Sequence, residues 1–292
     1  MGANALLQEN MRGKVVLLTG GNSGLGKATA MALAKMGADL TIVCRDQARG
    51  EAARGEIAEA SGNTSVSLMI ADLLLLREVR RVASEFRASH QRLDVLINNA
   101  GSNFTTYTET EDGLERTMAL NYFAPFLLTN LLLEALEGSA PSRVVNVSST
   151  AHYGASLDLD KIKGERGMGT GGLGAYGRSK LALVLFTYEL ARRLEGNGVT
   201  ANCLHPGAVR THIWAHAGAL SPLTRLASQF MLSPEDGAKT QVYLASSAEV
   251  EGVTGKYFEK STQKRSSRAS YDEAMAGRLW DLSMKITGLS AG

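Results

Sequence analysis

Seven apolar runs recur along the chain, and nearly all are separated by segments of helical composition. KVVLLTG (14–20), ADLTIVCRD (38–46), SVSLMIADL (65–73), LDVLINNAG (93–101) and RVVNVSS (143–149) are rich in Val, Ile and Leu with little polar alternation. VTANCLHPG (199–207) and a short GKYFE (255–259) follow. A strand that is apolar on both faces must be covered on both faces, which is the condition of a parallel sheet between helical layers. The intervening segments supply those helices: 25–37, ending on a glycine, then 48–62, 76–89, about 111–137, 176–195 and a segment near 234–246. The expected fold is α/β, with about seven parallel strands and helices on both faces. No repeat or linker divides the chain, so a single domain over 1–292 is the economical reading, with its core in 12–259 and a loop and helix in 260–292. Two stretches resist the pattern: 152–174, rich in Gly, and 212–232, apolar but irregular. Both follow strand ends, where open α/β sheets build their sites.

With 292 residues, 44% of them hydrophobic, the chain can bury a large core, and a net charge of +2 asks for no nucleic acid or acidic partner. The basic run KSTQKRSSR (260–268) reads as a solvated loop. Cys44 and Cys203 lie in apolar runs and suit buried thiols of a reduced, cytoplasmic protein. The N-terminus has no apolar signal region, and no run approaches the roughly 20 apolar residues of a membrane span. Leu6 stands where a myristoylation motif needs Ser or Thr. A soluble protein with no transmembrane anchor is expected.

TGGNSGLG (19–26) joins the first strand to the first helix. Gly20, Gly24 and Gly26 permit a sharp turn and close approach of a pyrophosphate to the helix N-terminus, with Asn22, Ser23 and Leu25 between them. A plain tight turn would use the same glycines. The second strand ends in Cys44 and Arg45, where layouts of this kind that bind NAD place an acid for the ribose hydroxyls. Arg45 would pair with a 2′-phosphate, favouring NADP(H). The competing reading makes Arg45 a surface residue and Asp46 the ribose ligand of NAD.

Tyr176 and Lys180 stand one helical turn apart, so a phenol and an ammonium share a face. With this pair the chain resembles the short-chain dehydrogenase/reductase family over about 12–259. The resemblance rests on TGGNSGLG, ADL (71–73), NNAG (98–101), Asn121, NVSS (146–149), YGRSK (176–180) and HPG (205–207), in that order. The finer match, to the retinol-dehydrogenase-like branch, comes from CRD (44–46), RVVNVSSTAH (143–152), SKLALVLFTYELARRL (179–194), HPGAVRT (205–211) and RLWDLS (278–283). The resemblance implies a doubly wound Rossmann domain and a catalytic set of Asn121, Ser149, Tyr176 and Lys180. It implies further cofactor contacts from Asp72, Leu73, Asn99, Ala100, Gly101, Pro206, Gly207, Val209 and Thr211, besides the glycine turn, Arg45, Tyr176 and Lys180. Asp72 would meet the adenine amino group, Asn99 would tie strands together, and Thr211 would reach the carboxamide or phosphates. Ser149 rather than Ser148 takes the serine role, three residues after Asn146.

In the reaction so implied, reducing an aldehyde or ketone requires a hydride at carbon and a proton at oxygen. Tyr176 would give the proton, and a neighbouring Lys180 ammonium would lower its ordinary pKa of about 10. Lys180 would also bind the ribose, Ser149 the substrate oxygen, and Asn121 a water that relays protons to Lys180. Between Ser149 and Tyr176 lies an unusually long segment whose glycines suggest a flap; Tyr153 within it has no lysine four residues later. His212 and His216 have no further ligand nearby in sequence, so no metal is expected. Ile213, Trp214, Leu220, Leu223, Leu226, Phe230 and Met231 would wall a lipophilic, retinoid-like carbonyl or alcohol substrate. Helices 111–137 and 176–195 could pair across a two-fold axis in a homo-dimer or homo-tetramer, or bury the same faces as core. A dinucleotide-binding regulator is the competing class of function.

Overall fold

The central apolar runs form strands because their residues have helices to bury against on both sides, whereas Val66–Ile70 and Lys256–Glu259 near the sheet edges are only partly buried. The computed structural model describes residues 10–164, 173–209 and 232–290. Its strands are β1 Val15–Thr19, β2 Asp39–Cys44, β3 Val66–Ile70, β4 Val95–Asn98, β5 Ser142–Val147, β6 Val199–His205, β7 Lys256–Glu259 and β8 Thr262–Lys264. They form one sheet in the order β3-β2-β1-β4-β5-β6-β7-β8, parallel except for the β7–β8 pair. Strand order reverses between β1 and β4, and such a switch point opens a crevice at the carboxyl ends of the strands.

The eighth strand corrects the expected loop at 260–268. Lys260 and Ser261 take positive φ (51° and 56°) and turn the chain back, so that Thr262–Lys264 pairs antiparallel with β7. All three residues are exposed, so no apolar alternation marks the strand in the sequence. Ser266 and Ser267, just beyond, are buried.

The helices are α1 Gly24–Lys35, α2 Gln47–Ser61, α3 Leu76–Ser89, α4 Arg116–Met118, α5 Ala124–Leu131, α6 Leu133–Glu137, α7 Leu173–Arg193, α8 Pro234–Ser246 and α9 Glu273–Thr287. The helix expected over 111–137 begins later and in pieces. Glu115 caps α4 by accepting the N–H groups of Thr117 and Met118, and Ala119–Phe123 is π-helical, with Ala124 N–H bonded to the Ala119 carbonyl. Leu132, at φ −102° and ψ 3°, separates α5 from α6.

Two apolar cores flank the sheet, one beneath α1 and α8, the other beneath α3, α5, α7 and α9. In the second, Trp280 of α9 meets Phe126 and Phe186 at ring distances of 5.2 and 5.8 Å. Arg193 lies over the same indole, and the Tyr122 and Ser283 hydroxyls are 2.7 Å apart. Over these residues, the faces of α5 and α7 considered for pairing between chains are packed against α9. Among the described residues no helix is long and apolar enough to cross a membrane.

Candidate active site

The turn from β1 to α1 is built for close approach. Gly20 and Gly24 have φ of +73° and +49°, a region that glycine enters without a Cβ penalty. A Cβ on Gly26 would lie 2.1 Å from the Gly20 carbonyl oxygen, so only glycine fits there. Asn99 Nδ2 donates to the carbonyls of Thr19 (2.8 Å) and Gly20 (3.3 Å), making it the expected tie between strand ends. Ser23, the residue before α1, makes no side-chain capping bond, leaving that helix start without a side-chain acceptor.

This turn forms one wall of a cleft of about 560 Å³ at the carboxyl ends of the strands. Gly20, Asn22, Ser23, Gly24, Leu25 and Gly26 line it, with Arg45, Asp72, Leu73, Asn99, Ala100 and Gly101. Pro206, Gly207, Val209, Ser149, Tyr176 and Lys180 line it too, whereas Asn121, also anticipated from the sequence, does not. Thr211 and the apolar segment from Ile213 to Met231 lie outside the described residues, as do His212 and His216. Among the described residues no group of three metal-ligating side chains occurs. Arg45 is exposed at the rim and makes no ion pair among the described residues. Asp46, the rival ribose ligand, caps α2 by accepting the Arg49 N–H at 2.9 Å.

A buried ladder of amides holds the wall that carries Tyr176 and Lys180. Asn98 Nδ2 donates to Thr129 Oγ1 (3.0 Å) and to Asn146 Oδ1 (2.8 Å), and Asn146 Nδ2 donates to Thr187 Oγ1 (2.9 Å). Strands β4 and β5 are thereby pinned to α5 and α7, and α7 carries Tyr176 and Lys180. Ser148 Oγ donates to the Lys180 carbonyl at 3.1 Å, while the Ser149 side chain is hydrogen-bonded to Tyr176. The two serines thus part as expected. Tyr153, by contrast, turns away and donates to the Arg265 carbonyl.

Two of these residues are engaged by the protein itself. Asn121 is fully buried and does not line the cleft: its Nδ2 donates to the Ser102 carbonyl and Ser179 Oγ, and its Oδ1 accepts the Ser102 N–H. With both ends engaged, the carboxamide anchors the loop after β4 to α7. Secondly, the protein alone does not lower the Tyr176 pKa. Burial raises the phenol above its ordinary value, partly offset by Ser149, and burial lowers Lys180 to about 7. Desolvation disfavours the charged form of each. Lys180 Nζ donates to the Val147 carbonyl at 2.8 Å and lies 5.6 Å from the Tyr176 ring centre.

The segment suspected of forming a flap is packed up to 164: His152, Leu159 and Ile162 are buried, and the Lys163 carbonyl accepts the Glu115 N–H. Residues 165–172 lie outside the described part. Among lining residues, Ser102, Phe104, Leu120 and His205 were not anticipated. His205 was within reach, since it opens the HPG motif; Phe104 and Leu120 belong to no pattern.

A glycine turn at the switch point, with Ser, Tyr and Lys facing it across one cleft, defines a dinucleotide-dependent oxidoreductase, and the chain belongs to the short-chain dehydrogenase/reductase family. The short chain dehydrogenase family model matches residues 14–159 and 161–219. The chain is 45% identical to human retinol dehydrogenase 14, covering 96% of this chain and 88% of that protein. It is 43% identical to human retinol dehydrogenase 13, covering 96% and 86%. A solved structure of an uncharacterized Mycobacterium paratuberculosis protein superposes with a TM-score of 0.79 at 32% identity, over 97% of each chain. The Pseudomonas aeruginosa RhlG/NADP active-site complex does so with a TM-score of 0.70 at 28% identity, over 85% of this chain and 95% of that one.

Proposed function

We propose that this oxidoreductase, which interconverts a carbonyl and an alcohol, uses NADP(H), with Tyr176 as general acid and base. The observation that carries the proposal is the single cleft that holds the glycine turn, Arg45 and the Ser149–Tyr176–Lys180 group together. The residues fit a dinucleotide: Gly20 and Gly26 have no room for a Cβ, which keeps the turn tight beside the helix start, and Arg45 stands at the rim where a 2′-phosphate needs a cation, with Cys44 where an acid would repel it. When bound, the dinucleotide supplies the hydride in one direction and takes it up in the other.

The chain's own groups handle the proton. Ser149 Oγ would hold the substrate oxygen beside Tyr176 and stabilise the charge that grows there. As the carbonyl carbon gains the hydride, the Tyr176 hydroxyl bond breaks, its proton goes to the oxygen, and a phenolate remains. A protonated Lys180 stabilises that phenolate, and its value of about 7 lets it release and regain a proton near neutrality. Because burial keeps the phenol protonated, reduction finds its acid ready, whereas alcohol oxidation gains from rising pH.

For the substrate we propose a lipophilic, retinoid-like aldehyde or alcohol. Phe104 and Leu120 give the cleft an apolar side, and the similar human proteins are retinol dehydrogenases. Buried free Cys44 and Cys203 accord with a reducing compartment such as the cytoplasm. Steady-state assays with NADPH and NADH over aliphatic, aromatic and terpenoid carbonyls test the reading; turnover confined to small polar carbonyls would refute the substrate class. Tyr176→Phe is expected to lose about 10²- to 10⁴-fold in kcat while binding NADPH as before. Undiminished turnover in that variant removes Tyr176 from the chemistry.

A further inference from the structure

We propose that His152 is a positioning residue for the reaction: its imidazole clamps the Ser149–Thr150 peptide to the C-terminal segment and so aims Ser149 at Tyr176. The inference rests on the catalytic role given to Ser149 above.

The hydrogen bonds fix the state of the ring. His152 is fully buried, and its Nε2 lies 3.1 Å from the backbone nitrogen of Ser267. A backbone N–H can only donate, so Nε2 must be the acceptor and carries no proton. In the neutral ring the proton then sits on Nδ1, which donates to the Ser149 carbonyl at 2.6 Å. The same carbonyl also accepts the His152 backbone N–H at 3.2 Å. On the other edge of this peptide, the Thr150 N–H faces His205 Nδ1 at a longer 3.4 Å. One peptide plane is therefore held from both edges; Ser149 Oγ, attached beside it, also accepts the Ala151 N–H at 3.2 Å, so the clamped backbone from 149 to 152 fixes where Oγ sits.

His152 does not line the cleft, and both ring nitrogens have protein partners, so it acts through Ser149 and not on substrate. Its ring lies 4.2 Å from Tyr153 and 4.9 Å from Tyr257. Glu259 of β7 and His205 of β6 are the other titratable neighbours, with Glu259 favouring a proton on His152 and burial opposing it more strongly. A proton added at Nε2 would face the Ser267 N–H, donor against donor, and open the clamp. Acid should therefore loosen Ser149 before it unfolds the chain.

The test compares His152→Phe, His152→Asn and Ser149→Ala in the full chain, reading kcat and its pH profile, NADPH binding by fluorescence, and melting temperature. An Asn amide can replace the Nδ1 donor but not the Nε2 acceptor. His152→Phe is expected to lose about 10- to 100-fold in kcat, the scale of a small misplacement, with NADPH affinity within about threefold. His152→Asn should recover most of that kcat without recovering melting temperature, and should lack the acid limb that wild type shows below the ring's lowered pKa. Equal kcat losses in both variants, tracking melting temperature, would overturn the proposal, as would an acid limb unchanged in His152→Asn. If His152→Phe does not fold, the Asn variant and the pH profile still decide. Wild-type kcat in Ser149→Ala would instead refute the catalytic reading itself; a crippled Ser149→Ala beside an unimpaired His152→Phe would refute this inference alone.

Discussion

Lys180 shows how much a single side chain can cost a fold that needs it. Its folded pKa of about 7 lies below the 10.5 of an exposed lysine, so between those values the unfolded chain binds the extra proton. Stability from this site is fully present above 10.5 and is lost as pH falls towards and through 7. Lys180→Met removes the buried cation; it is expected to melt higher than wild type at pH 7, with the gap closing towards pH 10, and to lose about 10²- to 10⁴-fold in turnover. Denaturant midpoints across that range, with steady-state rates, check both halves. Arg45 carries the opposite balance, since it is exposed and makes no ion pair among the described residues. Arg45→Asp should cut the NADPH-over-NADH preference in kcat/KM by about 10-fold or more, because the pairing becomes a repulsion. An unchanged ratio would remove Arg45 from cofactor choice.

At the level of elements, α9 is the part whose value is easiest to measure. Trp280 sits between Phe126, Phe186 and the Arg193 guanidinium, so Trp280→Ala should lower stability by about 3–5 kcal/mol. Chemical denaturation reads this directly, and NADPH binding in the surviving folded fraction should persist, since Trp280 is remote from the cleft lining. The long parallel strands were legible because burial on both faces writes itself into composition, and α3 and α8 begin and end where the sequence pattern placed them. β8 was not, because an exposed three-residue edge strand owes its existence to its partner. Nor was the late start at Arg116, which depends on Glu115 capping and on the turn at Gly113, φ +70°. In the cleft, the glycine turn was legible from its spacing between a strand and a helix, and the Ser, Tyr and Lys positions from the resemblance to the family. The engagement of Asn121 and the clamp at His152 were not, since both are set by partners far away in sequence, Ser179 and Ser267.

Across the whole molecule, the cleft at one end of the sheet is balanced by a polar fastening at the other. Asp94, only 1% exposed, accepts hydrogen bonds from the Val15 N–H, Lys14 and Arg92, tying the start of β1 to β4. Burial alone would raise its pKa, yet these donors hold it below the ordinary 3.8. Its contribution is thus present above about 3.8 and lost as pH falls through the folded value. Asp94→Ala should destabilise by about 1–3 kcal/mol at pH 7, with the deficit shrinking in acid; urea midpoints at pH 7 and 3.5 would show it. The position of α9 after the whole sheet in chain order has a consequence for synthesis. Phe126 and Phe186 leave the ribosome long before Trp280 does, so a nascent chain with its sheet and nucleotide turn complete still shows a bare aromatic face. Ribosome stalling or premature termination ahead of residue 273 would therefore release a sticky, chaperone-dependent product whose cleft residues are all present.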